Sequence, residues 1–118
     1  MTSECAMSYR HRLEALLSGK SAPLGPDGHP SAIAKQPVDG PRWLGHAGLE
    51  GDEQGDPIRH GGRDKALHHY PLEHYQYWEP LLGCRTSSLR LGAFGENLST
   101  LGLDESCVCV GDTWSLGK

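Results

Sequence analysis

The chain has 118 residues, with 11 Lys and Arg against 15 Asp and Glu and a formal net charge of −4. That length limits it to one domain with an economical core, and the charge gives no general pull toward a nucleic-acid polymer. Sixteen Gly and eight Pro argue for turns and short strands over a helix bundle, and no segment is long and apolar enough to cross a membrane.

Residues 1–12 are polar and read as a flexible N-terminal segment. Leu13 to Leu17 reads as a strand closed by Ser18-Gly19-Lys20. Ala22 to Pro30, punctuated by Gly25-Pro26-Asp27-Gly28, reads as a loop. Ala32 to Val38 alternates loosely and ends at the turn pair Asp39-Gly40; Pro37 makes this an edge or bulged strand. Trp43 to Leu49 is a third short segment broken by glycine, and a polar loop fills Glu50 to Asp64. Ala66, Leu67 and Tyr70 mark one face of a helical turn or two. Pro71 suits the first position of a second helix, with Leu72, Tyr75, Trp78 and Leu82 on one stripe, Glu73 near its start and Gly83 at its end. Gly92 to Thr100 is a second polar loop. Cys107 to Val110 reads as a β-branched strand closed by Gly111-Asp112, and Trp114 to Leu116 as the start of another.

Both polar loops suit an anionic ligand. In His60-Gly61-Gly62 the glycines let backbone N–H groups approach an anion, and His60, when charged, adds a donor; a tight loop with an exposed histidine is the plainer alternative. Arg63 and Lys65 could neutralise one phosphate or simply be solvated. Asp52 and Asp64 flank the loop and read as supports, accepting hydrogen bonds from the backbone or holding Arg63 and His60. In the second loop Phe94 reads as an anchor and Gly95 as a close-approach position. Glu96 and Asn97 could pair with ring nitrogens or tie the loop to itself. Ser99 and Thr100 are weaker phosphate donors.

Cys5, Cys84, Cys107 and Cys109 have no regular ligand spacing, and no secretory leader precedes them, so a reduced, cytoplasmic protein is expected. His68, His69 and His74 lack a zinc-site spacing. Tyr70, Tyr75, Tyr77 and Trp78 could form a stacking platform, but helical spacing assigns Tyr75 and Trp78 to the core.

Ordered blocks carry a family likeness: Lys20; Pro30 to Lys35 with Val38-Asp39-Gly40; Gly48 to Asp52; His60 to Leu67; His69-Tyr70-Pro71 with Glu73-His74-Tyr75 and Trp78; Phe94 to Leu98; and Gly102-Leu103, Glu105 and Gly111-Asp112. The chain resembles the MOSC domain proteins, and within them the bacterial group linked to 6-hydroxylaminopurine resistance. The resemblance implies a mainly β fold, a distorted and partly closed β-barrel with short helices, of which residues 13–118 form the N-terminal portion. It implies the molybdenum cofactor, a molybdopterin, as ligand. His60, Gly61, Gly62, Arg63, Lys65, Phe94, Gly95, Glu96 and Asn97 would bind it, with Asp52, Asp64 and Lys35 behind them. It also implies detoxifying reduction of N-hydroxylated bases or related compounds by N–O cleavage, with electrons from a flavin reductase. In the family the molybdenum-holding cysteine lies in an Arg-x-Pro-Cys-like segment past the position of Gly111-Asp112. The sequence stops before such a segment, so an incomplete domain is expected and no metal ligand or catalytic residue is assigned. The competing expectation is a non-catalytic cofactor- or anion-binding protein or scaffold, completed by a partner chain or a second copy through its exposed strand edges.

Overall fold

The computed structural model describes residues 10–82 and 89–117. Among these described residues, eight short strands and two helices occur in the order β1 (Leu13–Ser18), β2 (Ala22–Leu24), β3 (His29–Ser31), β4 (Gln36–Pro37), β5 (Leu44–Gly45), β6 (Gly48–Leu49), α1 (Pro57–His60), β7 (His69–Pro71), α2 (Glu73–Leu82) and β8 (Leu98–Thr100). A 3-10 turn at Arg63–Lys65 separates α1 from β7.

The central sheet has the order β4-β1-β8-β7. β1 runs antiparallel to both neighbours, pairing Leu17 with Pro37 and Leu16 with Leu98, and a register shift between Leu13 and Ala15 bends its start. β7 lies parallel to β8, with Tyr70 opposite Ser99. β2–β3 and β5–β6 are separate hairpins. The result is a mixed α/β arrangement of several small sheets. Among the described residues no sheet closes, so the expected partly closed barrel is corrected to an open four-stranded sheet with two hairpins. Strands of two or three residues are too short to curl a sheet back on itself.

Other corrections have local causes. The expected loop over Ala22 to Pro30 is a hairpin whose Gly25 and Gly28 form the turn. Pro37 does sit at the sheet edge, but the strand expected over Ala32 to Val38 reduces to Gln36–Pro37. The expected helical turn around Ala66 to Tyr70 ends in strand β7, and Pro71 closes that strand instead of opening α2. There the missing N–H of proline costs nothing, because β7 is the other edge of the sheet. Of the α2 stripe, Tyr75 is buried and Leu72 half-buried, whereas Trp78 and Leu82 are exposed. Pro80 stands inside the last turns of α2, and Gly83 lies outside the described residues. Leu98–Thr100, expected within a loop, is a fully buried strand. Cys107 to Val110 is not a strand. Asp104 accepts from Ser106 N and Oγ, and Asp112 Oδ2 accepts from Cys109 N. These Asp–Ser and Asp–Gly turns override the β preference of Val108 and Val110. Trp114 starts no strand and meets the ring of His69 edge-on at 4.9 Å.

The core is small: among the described residues Leu17, Ala32, Leu49, Tyr75 and Leu98 are buried, with Pro71 at the end of β7. Polar residues are buried beside them. Lys35 Nζ lies 2.7 Å from Asp52 Oδ1, with side chains only 7% and 3% exposed. Asp52 Oδ1 also accepts from Gly19 N at 2.9 Å, and Oδ2 from Asn97 Nδ2 at 2.9 Å. Lys35 donates further to Ala32 O and Glu53 O. Gly92 closes the packing here. Its φ is +94°, and a Cβ would stand 2.2 Å from the Lys35 carbonyl oxygen, so only glycine fits.

Removing one partner of a buried pair leaves the other charge without compensation. Lys35→Met is therefore expected to lower unfolding free energy by about 3–5 kcal/mol, read from urea denaturation midpoints. A smaller deficit in the double variant Lys35→Met/Asp52→Leu would confirm that the stranded carboxylate carries the cost.

Candidate functional site

A cavity of about 330 Å³ opens beside this buried pair, within the size range of small-molecule sites. Three stretches distant in sequence contribute to its walls, 30–35, 52–56 and 94–97, together with His60, Lys65, Ala66 and His68. The first two stretches meet backbone to backbone. A Cβ on Gly55 would lie 2.2 Å from the Pro30 carbonyl oxygen, so that glycine permits the seam.

The last residue of α1, His60, lines the cavity. Asp56 caps the start of the helix, with Oδ1 accepting from Ile58 N and Arg59 N, and Pro57 takes the first helical position. Lys65 Nζ reaches back to the Arg59 carbonyl oxygen at 2.5 Å, which caps the last turn with a cation. His60 and Lys65 thus come together by local folding. Gly61, Gly62, Arg63 and Asp64 of the same stretch do not line the cavity. Arg63 and Asp64 are exposed in the 3-10 turn.

Glu96 and Asn97 point to opposite sides of the chain. Glu96 is 1% exposed and lies outside the cavity wall. Its Oε1 accepts from the Tyr75 hydroxyl at 2.5 Å and from Gly92 N at 2.9 Å, and its Oε2 from Phe94 N at 3.1 Å. Burial, and then the hydrogen bond to Glu96, push the Tyr75 phenol above its usual range. Asn97 lines the cavity, but its amide is engaged by Asp52, Leu17 O and His68 N. Lys35 and Asp52 also line it while bonded to each other. Thr100 Oγ1 is 2.7 Å from His69 Nε2, and Ser99 Oγ is buried without a partner among the described residues. Burial lowers the His69 pKa, and the nearby Glu105 and Glu73 carboxylates partly oppose that shift.

Gly95 and Phe94 also reach the cavity. Phe94 is backed by the Tyr70 ring, stacked at 4.5 Å, and by Tyr75 edge-on at 5.3 Å. Trp78 Nε1 donates to the Tyr70 hydroxyl at 2.8 Å, which fixes that ring in turn. Sequence reasoning did not single out Pro30 to Ile33, Glu53 to Asp56 or His68 as site residues. The signals available were the Pro30–Lys35 block and the Asp56-Pro57 pair as a helix start. No group of three or more His, Cys, Asp or Glu side chains suited to a metal ion occurs among the described residues. Cys107 and Cys109 are exposed, free thiols away from the cavity wall; Cys5 and Cys84 lie outside the described residues.

Residues 56–118 match the MOSC domain family. The chain is 53% identical over 93 residues to "Protein YiiM" of Escherichia coli, covering 79% of this chain and 42% of that protein. It is 41% identical over 111 residues to "Uncharacterized protein YflK" of Bacillus subtilis, covering 92% of this chain and 49% of that protein. A third relative, "Reductase" of Gibberella moniliformis, is 39% identical over 74% of this chain and 15% of its own length. Among solved structures, a hypothetical protein superposes with a TM-score of 0.57 at 51% identity, covering 67% of this chain and 35% of that one. The crystal structure of YiiM from Escherichia coli gives 0.51 at 40% identity, covering 74% and 36%. The chain spans less than half the length of the two bacterial relatives.

Tyr75 provides a test of the loop anchor. A phenol pKa raised on folding stabilises the fold fully below its unfolded value of 10.0, and that contribution is lost as pH rises toward the folded value. Stability is therefore expected to fall above about pH 10, and Tyr75→Phe to flatten that decline. Urea midpoints between pH 8 and 11 measure it.

Proposed function

The chain belongs to the MOSC domain family, and on that premise we propose that its cavity is a seat for an anionic, phosphate-bearing ligand. The residues described here act as a binding unit and not as the redox centre. The observation that carries this is that His60 and Lys65 both line a cavity whose other cation, Lys35, is already neutralised by Asp52. No His60 ring hydrogen bond is seen among the described residues, so the imidazole has donor capacity for a ligand. The Lys65 ammonium has spent one of its three protons on Arg59 O and keeps two for a phosphate oxygen.

The ligand that the family suggests is the molybdenum cofactor. Its phosphorylated end suits the His60–Lys65 rim. Among the described residues its metal end does not find the thiolate that the family reading requires, because neither Cys107 nor Cys109 lines the cavity. No step is routed through the metal on these residues. Arg63, Gly61, Gly62 and Asp64 enter this proposal as the turn that places His60 and Lys65. Glu96, Asn97, Asp52 and Lys35 enter it as the frame that holds the wall.

A second reading is favoured by the similarity to the Gibberella moniliformis "Reductase". In it the whole protein reduces N-hydroxylated bases or related compounds in the cytoplasm, with a flavin reductase as electron donor and the thiolate supplied from outside the cavity wall seen here. Protein purified with stoichiometric molybdenum that turns over such a base when a reductase is present would establish it.

The anion seat has its own test. His60→Ala and Lys65→Ala are each expected to weaken inorganic phosphate binding about tenfold in calorimetric titration, whereas Arg63→Ala, off the cavity, leaves it within about twofold. Equal affinity in all four proteins would dismiss the seat.

A further inference from the structure

We propose that Cys107 and Cys109 form a two-thiolate site for a soft monovalent metal ion, Cu(I), on the turns that follow β8. Neither cysteine lines the cavity of the anion seat, so this site stands or falls independently of it.

The geometry offers two ligands on a tied loop. Both thiols are free and exposed, and they flank a half-buried Val108. Val108 joins His69 and Pro71 in the wall of a separate, smaller hollow. The middle side chain thus anchors the loop while the cysteines on either side stay open to solvent. The backbone is held as well. Cys107 N and Val108 N both donate to Asp104 O at 3.1 Å. Cys109 N donates to Asp112 Oδ2 at 2.8 Å, and Asp112 N donates back to Cys109 O at 3.1 Å. Two ligands on a backbone pinned from both sides lose little further freedom when they close on one ion.

Chemistry selects the ion. The Cys107 thiol donates only to backbone carbonyls, Asp104 O at 3.3 Å and Gly102 O at 3.6 Å, and a thiol is a weak donor, so little is lost when its proton leaves. The segment 104–112 carries Asp104, Glu105 and Asp112 and no Lys or Arg. That charge attracts a cation and repels anionic thiol reagents. Thiolate sulfur is a soft ligand that suits Cu(I) and zinc. Zinc, however, takes three or four protein ligands, and no group of three or more His, Cys, Asp or Glu suited to a metal occurs among the described residues. Cu(I) is satisfied by two sulfurs. Binding forms two Cu–S bonds, releases the two thiol protons to water and moves no electron.

A Cys5→Ser/Cys84→Ser background leaves Cys107 and Cys109 as the remaining thiols of the chain. Under anaerobic conditions, with the coloured Cu(I) chelator bicinchoninate as competitor, this background should withdraw one Cu(I) per chain. X-ray absorption of the loaded protein should show two sulfur neighbours on copper. Adding Cys107→Ser or Cys109→Ser should weaken binding by about a hundredfold each, because a single sulfur forfeits the effective concentration of a chelate. Zn(II) should stay on a zinc indicator dye. Circular dichroism checks that every variant is folded, as substitution of exposed side chains predicts. If either added serine leaves copper affinity unchanged, the site is refuted. If the wild-type protein takes copper and the background takes none, the ion belongs to Cys5 or Cys84 and the site is again refuted. One copper held between two chains, or zinc bound as tightly as copper, overturns the assignment of a two-thiolate Cu(I) site within one chain.

Discussion

The buried contact between Lys35 and Asp52 organises this molecule. Four stretches with no local reason to meet converge on it: the end of β1 through Gly19 N and Leu17 O, the 32–35 segment, the 52–53 turn, and Asn97 beside β8. Taking two charges out of water is costly, and their attraction offsets that cost only when geometry and further hydrogen bonds are good. Here both carboxylate oxygens and all three ammonium protons are engaged. The pair therefore defines which segments adjoin more than it adds net stability, a role for buried charge seen where a unique arrangement must be selected. The cavity is a consequence, since two of its walls, 30–35 and 52–56, are the segments that this pair clamps together.

A second polar anchor sits one residue before Asn97, ahead of β8. The Glu96 carboxylate collects Tyr75 from α2 and two backbone N–H groups of its own loop. This turns residues 92–96 into a compact loop wrapped round an internal anion. Neighbouring residues 96 and 97 serve opposite faces, one fastening α2 to the sheet and the other fastening the sheet to Asp52. With Leu17, Ala32, Leu49, Tyr75 and Leu98 joined by Pro71 as the buried apolar residues among those described, the chain relies on such directional contacts where a larger domain would rely on area.

The sequence was legible where side-chain chemistry acts locally. Leu13 to Leu17 gave a strand, Pro37 an edge, the Tyr75 position a buried helical face, and the ordered blocks a family. It was less legible where tertiary contacts overrode local preference. Leu98–Thr100 looked like a polar loop because Ser and Thr carry no strand signal alone; pairing with β1 and β7 made it the inner strand. Cys107 to Val110 looked like a strand because β-branched residues favour pleated surfaces, but the flanking Asp turns had already committed the backbone. Among the site residues, Glu96 and Asn97 were legible as hydrogen-bonding groups but not in their partners. Their partners lie from two to 80 positions away, beyond any periodicity.

Composition and motif order by themselves determined the class: a small, turn-rich, MOSC-family chain with glycine-shaped polar loops and a basic cluster around His60. Those properties are intrinsic to residue types and their spacing. Only the tertiary structure decided which polar groups are consumed by the scaffold and which face open space. Lys35, Asp52 and Asn97 are spent on one another and on backbone, and Glu96 on Tyr75 and backbone, whereas His60, Lys65, Gln54 and Phe94 line a common cavity. Whether a polar group is spent or open depends on long-range partners, since a hydrogen bond is satisfied by whatever the fold brings within about 3 Å, and that distance is unrelated to distance along the chain.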